Sequence, residues 1–243
     1  MLRLDQLAFD RGHFRSRQRA ADYIREHGVQ VDGTLVRKPG RKYPPEVSLA
    51  LPVPPMPWVS RGALKLLGAL ETWSIDLEGA RVLDIGSSTG GFTQVALSKG
   101  ATHVLAVDTG TDQLAPELCA DARITLREQT DFRSLTPSDT VGCTHFVCDV
   151  SFISLRHILP GLPALFPKGG SGVVLVKPQF EAGPEQVGKN GIVRDPAVQQ
   201  RVLEDITALA QSVGFQVKGQ CDSPISGGDG NREFLLWLAL RPS

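Results

Sequence analysis

Residues Arg81–Thr93 constrain this chain more than any other stretch. Val82-Leu83-Asp84-Ile85 reads as a short apolar strand, Gly86-Ser87-Ser88-Thr89-Gly90-Gly91 as a turn of small residues, and Phe92-Thr93 opens an amphipathic helical run. A strand that collapses into glycines and restarts as a helix brings bare backbone N–H groups up to a ligand. The spacing is Gly-x-x-x-Gly-Gly, so the Gly-x-Gly-x-x-Gly of a dinucleotide site is missing, as is the Gly-Lys-Ser/Thr of a triphosphate loop. Asp84 at the strand end repels phosphate and suits a cationic or amino-bearing ligand.

From Arg81 onward apolar strands alternate with helices. Val82–Ile85, 103–107, 124–126, 145–148 and 173–176 read as strands, with helices from about Phe92, near 113–119 and near 155–165. Continuous apolar strands in this alternation predict a parallel sheet covered on both faces, an α/β fold of the Rossmann type. Ligands of such sheets bind beyond the carboxyl ends of the strands. Asp84, Asp108, Asp149 and Lys177 each stand at one of those ends. Asp195-Pro196 supplies a cap and a first-turn proline for a helix to Val213. Two last strands, about 215–219 and 233–240, follow without an intervening helix and should be antiparallel neighbours. An antiparallel last strand begins at the edge where the parallel ones end, so Glu233 can join the same site.

The net charge of zero over 243 residues hides an asymmetry. Residues 1–45 hold ten Lys and Arg against five Asp and Glu, a local charge of +5, which leaves −5 for the rest. A basic head on a mildly acidic body implies an anionic partner. Leu4–Asp10 reads as a helix stopped by Gly12, and Ser16 can cap a second helix ending near His27-Gly28. Arg15, Arg17, Arg19 and Arg25 lie in or beside that second helix, mostly facing solvent. Val29–Val36 is a hairpin about Asp32-Gly33. The proline-dense run Leu51–Pro57 is a stiff linker, giving an expected division into residues 1–50, a linker 51–59 and a domain 60–243. After the linker, Ser60–Leu70 reads as a helix whose one interior cation is Lys65.

Four cysteines without a Cys-x-x-Cys pair argue against a zinc or redox motif, and no His/Cys/Asp cluster suggests a metal. No apolar run reaches membrane-spanning length and the N-terminus lacks a signal-peptide core, so the expected location is the cytoplasm. Residues 178–194 are long for a connection in a compact α/β domain. They read as a substrate-contacting lid or a partly disordered loop, in which Lys189 and Arg194 can meet phosphate.

Two resemblances attach to these residues. The head, through Arg3-Leu4-Asp5, Ser16-Arg17, Gly28-Val29-Gln30-Val31-Asp32-Gly33 and Lys38-Pro39, resembles the S4-type RNA-binding domain, a small α+β unit; this implies RNA contacts from Arg3, Arg15, Arg17, Arg19, Arg25 and Lys38, with Lys189 and Arg194 added from the body. Residues 58–240 resemble S-adenosylmethionine-dependent methyltransferases of the FtsJ type, and the whole chain resembles the TlyA family of ribosomal RNA 2′-O-methyltransferases, historically called hemolysins. The motifs are Trp58-Val59-Ser60-Arg61-Gly62 with Lys65, Asp84–Thr93, Asp149–Leu155, Val176–Glu181, Gly188-Lys189, Gly191–Pro196 and Gly230–Glu233.

The resemblance implies a catalytic Lys-Asp-Lys-Glu set at Lys65, Asp149, Lys177 and Glu233. It also implies S-adenosyl-L-methionine held by Asp84, Gly86, Ser87, Ser88, Thr89, Gly90, Gly91 and Phe92. Asp108 would take the ribose hydroxyls, and Asp131 matches an adenine-contacting position. Gly62-Ala63 departs from the family's Gly-Gly and leaves Lys65 in register. Lys177 is the candidate base: burial and a neighbouring Lys65 cation favour its neutral amine, while Asp149 and Glu233 oppose it. The implied partner is ribosomal RNA or a ribosomal subunit, with a lean toward the large subunit from the short termini. Two rivals are a membrane-active hemolysin, which would need an apolar span or a broad amphipathic helix absent here, and a catalytically silent RNA-binding protein. A small-molecule methyltransferase would leave the basic head unexplained.

Overall fold

The computed structural model describes residues 1–240, and the chain falls into two compact units, Met1–Pro57 and Trp58–Ser243. In the first, the elements run β1 (Leu2–Arg3), α1 (Leu4–Asp10), α2 (Arg17–Glu26), β2 (Val29–Val31), β3 (Thr34–Val36), β4 (Lys42–Tyr43) and β5 (Leu49–Ala50). Ser16 caps α2, its hydroxyl oxygen accepting from the Arg19 N–H at 3.2 Å. Asp32 and Gly33 both have positive φ, 48° and 79°, as a two-residue turn matched to strand twist requires. Leu4, Phe14, Tyr23, Ile24, Val29, Val31 and Val36 form the small core of this unit.

The proline-rich stretch is not wholly a linker. β5 pairs antiparallel with β2, making a three-stranded sheet in the order β3-β2-β5. Beyond it the Tyr23 hydroxyl donates to the Val53 carbonyl and accepts from the Val53 N–H at 3.1 Å. Strand pairing just before the stretch and one buried tyrosine bonded to Val53 within it thus hold its beginning to the first unit.

The second unit contains α3 (Ala63–Trp73), β6 (Arg81–Ile85), α4 (Gly91–Ser98), β7 (His103–Val107), α5 (Pro116–Cys119), β8 (Ile124–Arg127), β9 (His145–Cys148), α6 (Leu162–Leu165), β10 (Ser171–Val176), α7 (Pro178–Glu181), α8 (Pro196–Ser212), β11 (Phe215–Asp222) and β12 (Phe234–Leu240). Its seven-stranded sheet has the order β11-β12-β10-β9-β6-β7-β8. All neighbours from β10 to β8 are parallel, and β12 is antiparallel to both β10 and β11. Alternate strand residues face opposite layers. Val82, Val104, Ala106 and Val147 pack with Leu66, Ala69 and Leu70 of α3 and Val95 and Ala96 of α4, while Leu83, Leu105, Phe146 and Val174 pack with Val202, Leu203 and Ile206 of α8. Burial on both faces is why the strands carry no polar alternation.

Two expected elements differ. α3 begins at Ala63 instead of Ser60. The helix expected over 155–165 is broken into 3₁₀ turns at Leu155–His157 and Leu159–Gly161 followed by α6, because Pro160 and Pro163 lack the N–H that a continuous helix needs. The last two strands are antiparallel neighbours as expected, and β12 also inserts between β10 and β11. That insertion positions the site, since Val176 pairs with Phe234 and the next residue outward on each strand is Lys177 and Glu233.

Candidate active site

The strand order reverses at β6, which lies between β7 and β9, and the crevice beyond its carboxyl end is where this fold holds ligands. Gly86, at φ 79°, turns the chain there; a Cβ on it would lie 2.7 Å from the Asp149 carbonyl oxygen, so no larger residue fits. A cavity of about 470 Å³ opens beside it, lined among others by Gly86, Ser88, Asp108, Asp131, Asp149 and Ser151. Asp108 accepts from the N–H groups of Ser88 (2.8 Å) and Gly110 (2.7 Å). Each of its oxygens keeps a lone-pair direction for a hydroxyl donor. Asp131 caps a 3₁₀ turn and is hydrogen-bonded by the Arg133 guanidinium at 2.6 Å, which holds its carboxyl down at about 2.

The other loop residues do not line that cavity. Asp84 is completely buried; its Oδ2 accepts from the Thr93 hydroxyl at 2.6 Å. Burial pushes its carboxyl up to about 7, and the neighbouring Asp149 and Asp108 charges act in the same direction. Asp84 Oδ1 and the Ser87 hydroxyl are buried without a hydrogen-bond partner. Thr89 is exposed, and its carbonyl accepts from the Ala115 N–H at 3.2 Å. Gly90 caps α4 at φ 93°, Gly91 opens it, and Phe92 is buried in the layer between the helices and the sheet.

The four expected catalytic residues form two ion pairs. Lys65 Nζ donates to Glu233 Oε2 at 2.6 Å across 168 positions of sequence, and both side chains are buried. Glu233 Oε1 also accepts from Gln179 Nε2 at 3.4 Å. Lys177 Nζ lies 2.6 Å from Asp149 Oδ1, paired by charge without hydrogen-bond alignment, and donates to the Ser151 hydroxyl oxygen at 2.8 Å. A Cβ on Gly62, just before the helix that carries Lys65, would lie 3.7 Å from Asp149 Oδ2, which brings Asp149 close to the start of α3.

The basic residues are distributed differently. Arg3 and Arg17 both reach the buried carboxylate of Asp5, at 2.7 and 3.4 Å, and Arg25 pairs with exposed Asp22 at 2.5 Å. Arg15 and Lys38 are exposed and Arg19 is partly so. In the body, Lys189 and Arg194 are exposed on a segment with ordered short turns. Buried Asn231 ties that segment down, accepting from the Val193 N–H (3.0 Å) and donating to the Gly191 carbonyl (2.9 Å).

Sequence reasoning assigned no role to Ser151, Glu181 or Asn231. Glu181 accepts from the Ser154 hydroxyl (2.6 Å) and the Leu155 N–H (2.8 Å), and burial pushes its carboxyl up. The available signal was that all three lie inside the motifs quoted for the resemblance.

A parallel sheet with one inserted antiparallel strand, a glycine turn at its switch point and orphaned polar atoms beneath that turn define the methyltransferase class. Residues 58–240 match the FtsJ-like methyltransferase family and residues 2–47 the S4 domain. The chain is 47% identical over 238 residues to a provisionally named rRNA methyltransferase of Bacillus subtilis, YqxC, covering 97% of this chain and 85% of that protein. To the 16S/23S rRNA (cytidine-2′-O)-methyltransferase TlyA of Mycobacterium tuberculosis it is 43% identical, with coverages of 97% and 89%. The solved structure of a provisionally named hemolysin of Streptococcus thermophilus superposes with a TM-score of 0.78 at 45% identity, over 99% of this chain and 89% of that one. The chain belongs to the FtsJ-like methyltransferases, in their TlyA branch, and its methyl donor is S-adenosylmethionine. Among the described residues no helix is long and apolar enough to span a bilayer.

Proposed function

We propose that this chain methylates a ribose 2′-hydroxyl of ribosomal RNA in the cytoplasm, using Lys177 as the base. The observation that carries this reading is the pair of buried lysine–carboxylate contacts at one sheet edge, the Lys177–Asp149 pair bordering the cavity through Asp149. The relative named a cytidine-2′-O-methyltransferase supports the ribose of cytidine as acceptor.

The chain fits the methyl donor on its own chemistry. The unpartnered Asp84 Oδ1 and Ser87 hydroxyl suit an amino-bearing group, and Asp108 at the end of β7 suits a ribose diol. When bound, S-adenosylmethionine supplies an electrophilic methyl on a sulfonium, so the protein need only align the acceptor oxygen and remove its proton. Lys65 is closed on Glu233 by a direct hydrogen bond and acts as a fixed positive charge. Lys177 keeps a free tetrahedral direction, and through it takes the 2′-hydroxyl proton. Asp149 orients Lys177. The arginines of the head bind RNA phosphates, which gives salt-sensitive affinity.

The test is transfer of tritiated methyl to 16S and 23S RNA, each as free RNA and within its subunit, followed by mapping of alkali-resistant ribose positions. Labelling confined to a ribose 2′-oxygen supports the reading, and labelling of a base or of no RNA overturns it. The same experiment decides between one subunit and both.

A further inference from the structure

We infer that Ser151 is a positioning residue for the Lys177 amine, fixing the direction in which that amine accepts a proton. This rests on the reading of Lys177 as the base.

Lys177 Nζ has two polar partners, Asp149 Oδ1 at 2.6 Å and the Ser151 hydroxyl oxygen at 2.8 Å. Among the described residues there is no third hydrogen-bond or ion-pair partner; the Phe180 ring stands 5.8 Å away at its centroid. A neutral primary amine carries two N–H bonds and one lone pair, arranged tetrahedrally with the carbon. With one N–H donated to Ser151, the Asp149 carboxylate, held at ion-pair distance, repels the lone pair, which takes the direction away from it. With Asp149 alone, no hydrogen bond fixes rotation about the Cε–Nζ bond, and the lone pair sweeps through every orientation that avoids the carboxylate, of which one is productive. The serine acceptor therefore selects the geometry that a single carboxylate leaves open.

Ser151 is built to hold this position. Its segment is anchored at one end by the Asp149 N–H on the Ile85 carbonyl (3.0 Å). At the other end Glu181 accepts from the Ser154 hydroxyl and the Leu155 N–H. Glu181 closes the short helix α7 that begins immediately after Lys177, so serine and lysine sit on two segments clamped together by one carboxylate. Between the anchors, Phe152 turns the chain through a left-handed conformation, φ 62°, with its side chain exposed.

The step conserves atoms and charge. The 2′-hydroxyl proton passes to the Lys177 lone pair, the ribose oxygen bonds the methyl carbon, and the carbon–sulfur bond breaks with its electron pair left on a neutral thioether. Ser151 exchanges no proton with the substrate. It keeps accepting from Lys177 before and after transfer.

The experiment compares the full-length chain with Ser151→Ala, Ser151→Thr and Lys177→Ala in methyl transfer to 16S and 23S RNA. Ser151→Ala should lower kcat by about tenfold to a hundredfold, the size of a misaligned reacting group, with KM for RNA and for S-adenosylmethionine within about twofold. Ser151→Thr, which restores the hydroxyl, should recover most of the loss. A Ser151→Ala kcat within about twofold of the parent, a loss carried by KM, or a threonine variant no better than alanine overturns the inference. If Lys177→Ala is inactive while Ser151→Ala is unimpaired, the Ser151 role alone falls. If Lys177→Ala keeps full activity, the base reading falls with it.

Discussion

The head and the body of this chain use charge in opposite ways. In the head, ion pairs join residues at most twelve positions apart and at least one partner meets water: Arg25 with Asp22, Arg3 and Arg17 with Asp5. In the body, Lys65 and Glu233 meet across 168 positions and both are buried. A surface pair contributes little and is screened by salt. A buried pair is expensive to desolvate and more so to break, which makes it poor as a stabiliser and useful as a fixed geometry. The contrast separates two tasks: the head attracts a polyanion from a distance, while the body holds a few charges still.

The largest break in this comparison is Lys177→Ala. Removing the base should lower kcat by at least about 10²–10⁴-fold, with cofactor affinity, read by calorimetry, nearly unchanged. Next comes Lys65→Met, which leaves Glu233 buried without its cation. Urea unfolding should show a loss of about 3–5 kcal/mol. The double change Lys65→Met with Glu233→Leu should recover much of that stability while activity stays lost, because the charges serve geometry more than folding. If the double variant were no more stable than the single, the pair would be a stabiliser after all.

Asp84 sharpens the contrast through pH. Its carboxyl titrates at about 7 in the folded chain, mainly because burial disfavours the charge. The unfolded carboxyl releases its proton near pH 4, so from about pH 4 to 7 the native state holds a proton that the unfolded state has lost. The contribution of this group to stability is therefore complete below about pH 4 and falls as pH rises through 7, by up to roughly 4 kcal/mol. Asp84→Asn should remove that part of the pH dependence, seen as a parent-minus-variant stability gap that changes between pH 5 and pH 8. Since an ionised Asp84 suits the donor's amino group, affinity for S-adenosylmethionine should rise over the same interval in the parent and stay flat in the variant.

What was legible beforehand follows the range of the interactions. Strand ends were legible because a charged residue after an apolar run marks where the chain leaves the core, which located Asp108, Asp149 and Lys177; Asp84 instead lies inside β6, one residue before its end, and is completely buried. The caps at Ser16 and Asp195 and the turn at Asp32-Gly33 were legible because each is decided within a few residues. Pairing was not legible. That Lys65 closes on Glu233 while Lys177 faces Asp149 and Ser151 depends on β12 inserting between β10 and β11, a long-range choice with no local signature. The break in the 155–165 helix is readable from Pro160 and Pro163, against the helical spacing of Leu155, Ile158, Leu159 and Leu162. These residues are buried all the same, so the spacing reported burial and not continuous helix.

The smallest effects belong to the head. Lys38→Ala removes one exposed charge from the positive unit, so it should weaken RNA binding about equally for every sequence tested and reduce the slope of log affinity against log salt by about one. Fold stability should stay within about 0.5 kcal/mol, as for most surface changes. Asp5→Ala is the informative counterpart, because that buried carboxylate gathers Arg3 and Arg17. It leaves the head more positive overall, yet the two guanidinium groups lose their common anchor. If simple charge attracts the RNA, this variant should bind more tightly at low salt. If the arginines must be held in place, it should bind more weakly despite the added charge, and the head would then share the body's use of a buried carboxylate to fix a cation.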